Sequence, residues 1–163
     1  MKARPLAWIG GSATMLLTIA AYMAVGRIYS DAKAIDLIGQ LAQSALYFGS
    51  AIATASATTL ALMLTLIGMA RRSEAEFSDE FYRNVYRISA LSTATLLGAV
   101  VLLLLLTLPV GEFDNLSAPW FIWLYRIQFA MVGILSSLLV ATVLLVFATV
   151  RAVIINITPA DVV

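Results

Sequence analysis

The chain is predicted to be an all-α integral membrane protein, a four-helix transmembrane bundle, and three observations lead there. Four uncharged runs, residues 5–26, 37–70, 88–111 and 127–150, divide the sequence. Each reaches the roughly 20 residues that a helix needs to cross the hydrocarbon of a bilayer. Of 163 residues, 12% are charged and 62% hydrophobic, with mean hydropathy +0.98, whereas a soluble domain carries about a quarter charged residues. The charges that remain fall between the runs, most densely in 71–87. One membrane domain, 1–163, is expected, with spans at about 5–26, 46–70, 88–109 and 127–150.

Composition also removes several kinds of function. A net charge of +1 with no basic stripe argues against a nucleic-acid partner. The chain contains no cysteine and no histidine, which excludes thiolate chemistry, Cys/His metal sites and His-ligated haem. The cores of the four runs hold no Asp, Glu, Lys or Arg. Proton-coupled transporters and pumps need such a group to carry the proton, and membrane-embedded hydrolases need a base. No enzyme activity, cofactor or metal is expected, and no Gly-rich phosphate loop is present.

The first run follows Lys2 and Arg4, the basic start of a signal peptide, and 24–26 is a small-x-small sequence. Its 22 residues exceed the roughly 7–15-residue apolar region of a signal peptide, so a retained helix is expected. Trp8 and Tyr22 suit its two interfaces. Gly10, Gly11 and Ser12 allow another helix to approach closely.

The second run has 34 residues. At about 1.5 Å per residue it makes about 51 Å of helix against about 30 Å of hydrocarbon, so it must tilt, break or protrude. Arg71 and Arg72 pin its C-terminal end at an interface. The excess is therefore placed at the opposite end, around 36–45, where Gln40, Gln43 and Ser44 suit water.

The third helix is expected to begin before its span. Ser73 and Glu76 have the spacing of a capping box. Phe77, Phe81, Val85 and Ile88 follow one helical stripe, and Asp79 and Arg83 form an i,i+4 pair in the favourable order. The helix should reach about Leu108, before Pro109, with an all-aliphatic stretch at 100–106. The fourth helix should start at Ser117-Ala118-Pro119, where proline suits the first turn. Trp120, Trp123 and Tyr125 form an interfacial belt, and Arg126 can snorkel beside them. It should continue to about Arg151 and stop before Pro159.

Orientation follows the basic residues. Lys2, Arg4, Arg71, Arg72, Arg83, Arg87 and Arg151 share one side in a four-span topology, and Arg27, Lys33 and Arg126 the other. The side richer in Lys and Arg is the cytoplasmic one. Both termini are therefore expected in the cytoplasm, helices 2 and 4 extended beyond the outer face and helix 3 extended inward. A bacterial inner membrane is the expected location.

The most suggestive polar pattern lies in the second run. Gly49, Ala53, Ala57 and Ala61 repeat every four residues, and Ser50, Thr54 and Thr58 form an adjacent stripe, with Gln43 near its start. Gln43, Ser50, Thr54 and Thr58 are either the wall of a pore or part of a close helix–helix contact, since small-xxx-small faces serve helix association and hydroxyls can bond their own backbone. Two more small stripes occur, Ala90/Ala94/Gly98 and Gly133/Ser137/Ala141. Asp31, Asp36, Glu112 and Asp114 lie on the predicted outer side, as a cation-attracting vestibule or as ordinary loop charges. Arg71, Arg72, Arg83 and Arg87, balanced by Glu74, Glu76, Asp79 and Glu80, form a docking or gating site or a self-paired surface. Tyr82 and Tyr86 suit the interface.

The functional expectation is a small tetraspan membrane protein that forms a homo-oligomeric ion channel or pore. One such bundle is too small to enclose a polar conduit, so several copies would be needed. The alternative is a non-catalytic accessory or scaffold subunit of a larger membrane complex, and a third reading is a transporter of an uncharged or lipidic solute. Membrane lipid and either self-association or a larger complex are the expected partners.

Overall fold

In the computed structural model, residues 3–28, 34–72, 79–107 and 118–157 are described, and they form four α-helices: α1 (Ala3–Ile28), α2 (Ala34–Arg72), α3 (Asp79–Leu106) and α4 (Ala118–Ile157). Each holds a stretch long and apolar enough to cross a membrane: Ala7–Ala24, Ala42–Ala70, Asp79–Leu106 and Trp123–Ala152. The protein is thus an all-helical bundle of the integral membrane class.

The helices fall into a shorter and a longer pair, although among the uncharged runs only the second exceeds the others. α1 and α3 have 26 and 28 residues, about 39 and 42 Å of helix. α2 and α4 have 39 and 40 residues, about 58 and 60 Å. The surplus in α2 is not taken up by a break, because the helix is continuous from Ala34 and includes Asp36 in its first turn. The capping box at Ser73 lies outside the described residues. α3 closes two residues short of Leu108. Thr107 donates its N–H to the Leu103 and Leu104 carbonyls and its hydroxyl to Leu104 O at 2.7 Å. Pro109 disfavours helical geometry at the residue before it and has no N–H to continue the ladder. α4 has Pro119 in its first turn, where the missing donor does no harm, and runs six residues past Arg151.

The buried positions explain how the helices meet. On α3, beside Asn84, they are Phe81, Val85, Ile88, Ser92, Thr95, Ala99 and Leu102, the seven spaced alternately by four and three. On α2, Ala45, Gly49, Ile52, Ser56, Met63 and Ala70 follow the same rule. A 3.5-residue period keeps one seam of a helix facing its partner along its whole length. Gly49 sits against Leu102 and Leu103, and Met63 shares a cluster with Phe81, Val85 and Ile88, so the two helices run antiparallel, and this register carries Ser56 to the level of Thr95. α4 repeats every seven residues through Gln128, Leu135, Thr142 and Thr149, all buried. Gly98 of α3 abuts Leu135, which joins Ile52, Ala99 and Leu102 in one apolar cluster. A second cluster toward the N-terminus of α3 holds Met63, Phe81, Val85, Ile88 and Leu145.

α4 is the central helix. It meets α3, α2 and α1, whereas among the described residues the backbone of α1 approaches neither α2 nor α3. The α1–α4 contact is made by small residues. Gly10 faces Leu144, Gly11 faces Ser137 and Ala141, and Gly133 faces Thr18. A Cβ on Gly11 would lie 3.4 Å from the Ser137 carbonyl oxygen, which is backbone and cannot rotate aside. Ser137 Oγ donates to the Gly11 carbonyl at 2.6 Å, and the Tyr22 and Phe129 rings meet at 5.6 Å. The glycines of α1 and the small stripe of α4, separate in sequence, therefore form one interface.

This arrangement makes a direct prediction. In a chain without native cysteine, the pair Thr18→Cys and Gly133→Cys should form a disulfide on mild oxidation, since their Cβ atoms are within the reach of that bond. The pair Ala13→Cys and Ala57→Cys, on α1 and α2, should not close within one chain. The comparison is read by gel mobility after proteolysis in the first connection, which separates the two cysteines of either pair.

Candidate functional site

α2 has two unlike faces. The face just described is packed against α3. Gln43, Tyr47, Ser50, Thr54, Ala57, Thr58, Ala61 and Thr65 are exposed. At 3.6 residues per turn these eight positions fall within an arc of about 100°, centred opposite the buried seam. Gly68 continues the stripe, and a Cβ placed on it would meet nothing within 4 Å. On either flank the large exposed side chains are Leu46, Leu62, Leu64 and Met69, which suit lipid. The stripe is thus a narrow band of small and hydroxyl-bearing residues between two apolar margins.

The threonine hydroxyls on this band are not loose. Thr54 Oγ1 donates to Ser50 O at 2.9 Å, Thr58 Oγ1 to Thr54 O at 2.8 Å and Thr65 Oγ1 to Ala61 O at 2.9 Å. A hydroxyl without a partner in hydrocarbon costs about 4–8 kcal/mol, and the bond to its own helix removes most of that penalty. Each oxygen still presents acceptor lone pairs outward. The band can therefore survive in lipid, yet can also hydrate or meet another helix. At its Gln43 end a cleft of about 510 Å³ opens between α2 and α3, lined by Leu46, Tyr47, Ser50, Leu103, Leu104 and Thr107 among others.

The structure brings Gln43, Ser50, Thr54 and Thr58 onto this one exposed face. It places Asp36 in the first turn of α2, while Asp31, Glu112 and Asp114 lie outside the described residues. Arg71 and Arg72 are the last two residues of α2. Arg83 is exposed on α3, and Arg87 is half-buried one turn further along. Asp79 and Arg83, expected to pair along the helix, are both exposed, and no ion pair joins them among the described residues. Such exposed pairs gain less than about 1 kcal/mol, so an open geometry is no anomaly. Among the described residues no group of Asp and Glu is arranged to hold a metal ion.

Sequence reasoning passed over a second polar set, inside the bundle. Asn84, Ser92, Thr95, Gln128, Thr142 and Thr149 are buried. Thr95, Thr142 and Thr149 donate to carbonyls of their own helices. Ser56 Oγ, Ser92 Oγ and Gln128 Oε1 are buried with no hydrogen-bond partner. The signal was the spacing: Val85, Ser92 and Ala99, and Gln128, Leu135, Thr142 and Thr149, recur every seven residues. Polar members of a heptad are easily set aside when only apolar residues are followed.

Compared with protein-family models, with curated proteins and with solved structures, the chain matches none. Its function is therefore argued from the geometry alone.

Two substitutions should move stability in opposite directions. Ser137→Ala removes the bond to Gly11 and should lower stability by about 0.6–1.7 kcal/mol, the range for hydrogen bonds between membrane helices. Gln128→Leu should raise it by about 1 kcal/mol, because it removes a buried amide oxygen with no partner. Loss of helical signal with increasing denaturing detergent in mixed micelles measures both.

Proposed function

We propose that this protein is the subunit of a homo-oligomeric ion channel or pore, with the small, hydroxyl-bearing face of α2 turned toward the axis. The observation that carries this reading is the exposed band itself, which lies opposite the packed seam and is covered by none of the described residues. Several copies arranged with their apolar margins together and their bands inward would enclose a weakly polar path. Neutral oxygen-lined walls attract ions through dipoles rather than fixed charge, in keeping with spans whose cores hold no ionisable residue. In this reading both termini are cytoplasmic, which the distribution of Lys and Arg supports, and the membrane is a bacterial inner membrane. The surplus lengths of α2 and α4 then project outward, and Asp31, Asp36, Glu112 and Asp114 stand at the outer mouth. Arg71, Arg72 and Arg83 stand at the inner one, whereas Arg87 lines the space between α1 and α3.

A second reading rests on the same band taken as a contact surface. Small-xxx-small faces let helices approach closely, as Gly11 and Ser137 already do inside this molecule. On that reading the chain is a non-catalytic accessory or scaffold subunit, and α2 docks on a helix of a larger membrane complex.

Mass measurement and conductance separate the two. Reconstituted in nanodiscs, the pore subunit has the mass of a symmetric oligomer, and in planar bilayers it conducts. Thr54→Leu and Thr58→Leu should each lower unitary conductance severalfold, by placing a branched apolar side chain where water passes. A monomer that conducts nothing and copurifies with one larger complex would remove the pore reading in favour of the scaffold.

A further inference from the structure

On the other side of the molecule, α1 and α3 stand apart because each packs on α4. The space between them is a groove of about 880 Å³ with α4 as its floor. Ala7, Gly11 and Met15 line it from α1, Ala90 and Leu91 from α3, and Leu138 from α4. Its walls are almost wholly apolar, and among the described residues Arg87 is the single charged one that lines it.

The position of that charge gives the groove a direction. Ala7 and Ile88 belong to one buried cluster with Leu145, so Arg87 stands at the Ala7 end. Trp8 and Tyr86, 77% and 74% exposed, stand at the same end, and such rings settle at the membrane–water interface. From Ala7 to Leu16 the groove follows about 14 Å of α1. That is close to one leaflet of hydrocarbon, about 15 Å, half the thickness of the apolar core.

We propose that this groove holds one anionic phospholipid, with an acyl chain along the cleft and the phosphate on the Arg87 guanidinium. A guanidinium fork matches phosphate oxygens in a bidentate way. Basic pockets between transmembrane helices on the cytoplasmic side are suited to anionic headgroups. Among the described residues no carboxylate lines the groove, so none of them receives the ammonium of a zwitterionic headgroup, and the net-negative lipid is preferred. The site is independent of the pore reading, since it lies on α1, α3 and α4 rather than on α2.

The test is native mass spectrometry of the full chain released from nanodiscs of phosphatidylglycerol and phosphatidylcholine in equal amounts. The wild type should retain one phosphatidylglycerol per chain. Arg87→Gln should reduce its retention about tenfold relative to phosphatidylcholine, whereas Arg83→Gln, exposed on the same helix and outside the groove, should leave it unchanged. Ala90→Phe should displace both lipids by filling the cleft, with helical content intact. The proposal is overturned if the wild type retains no phosphatidylglycerol, if R83Q lowers retention as much as R87Q, or if A90F retains it like the wild type.

Discussion

The seam between α2 and α3 sets what the outside of this molecule has to offer. A helix that buries one 3.5-residue seam must present the opposite arc to its surroundings. On α2 the buried arc is Ala45, Gly49, Ile52, Ser56, Met63 and Ala70. The threonines at 54, 58 and 65 are then outside by geometry, whatever solvent they meet. The seam is closed by small side chains on both helices, Gly49 and Ser56 against Thr95, Ala99 and the leucines that follow. In lipid the hydrophobic effect gives little reason for helices to associate, so this close fit carries the contact.

α4 extends the same logic in two directions. Its heptad of Gln128, Leu135, Thr142 and Thr149 is buried, and its small face, Gly133, Ser137 and Ala141, receives α1. The glycines decide the geometry. Gly11 lies so close to Ser137 that its carbonyl accepts the serine hydroxyl at 2.6 Å, and this keeps α1 on α4 and away from α3. The groove with Arg87 at its end follows from that separation. Two surfaces of different character thus arise from one packing scheme: a hydroxyl-bearing band on α2 and an apolar cleft between α1 and α3.

Much of the fold was legible in the sequence because a bilayer imposes it. A helix must satisfy its own backbone where no water is present, so long uncharged runs translate directly into helices, and Pro109 and Pro119 mark their limits. The small stripes were legible as well, and Gly10, Gly11 and the Gly133 stripe do meet. Which stripes would meet was not legible, since glycine spacing in one helix carries no information about its partner. The buried polar residues were harder still. Ser92 and Gln128 are inside because their heptad positions lie on the buried seams of α3 and α4, against the preference of their side chains. For the candidate site, Ser50, Thr54 and Thr58 were readable as one stripe, but only the burial of Gly49 and Ser56 shows that this stripe points away from the bundle. Arg87 read as one member of a charged cluster. Its place at the end of a cleft depends on α1, some 70 residues away in sequence.

The central claim is that the exposed band of α2 faces water in the assembled protein. The absence of cysteine from the chain permits one direct measurement. Thr54→Cys lies on the band, and Leu64→Cys lies on an apolar margin where the native leucine is 73% exposed. A thiol reacts as its thiolate, which forms only where water reaches it. In intact membranes, a small membrane-impermeant thiol reagent should modify the cysteine at 54 roughly tenfold faster than the one at 64. Equal rates, or an unreactive cysteine at 54, would place the band in lipid or in a dry helix contact and contradict the account.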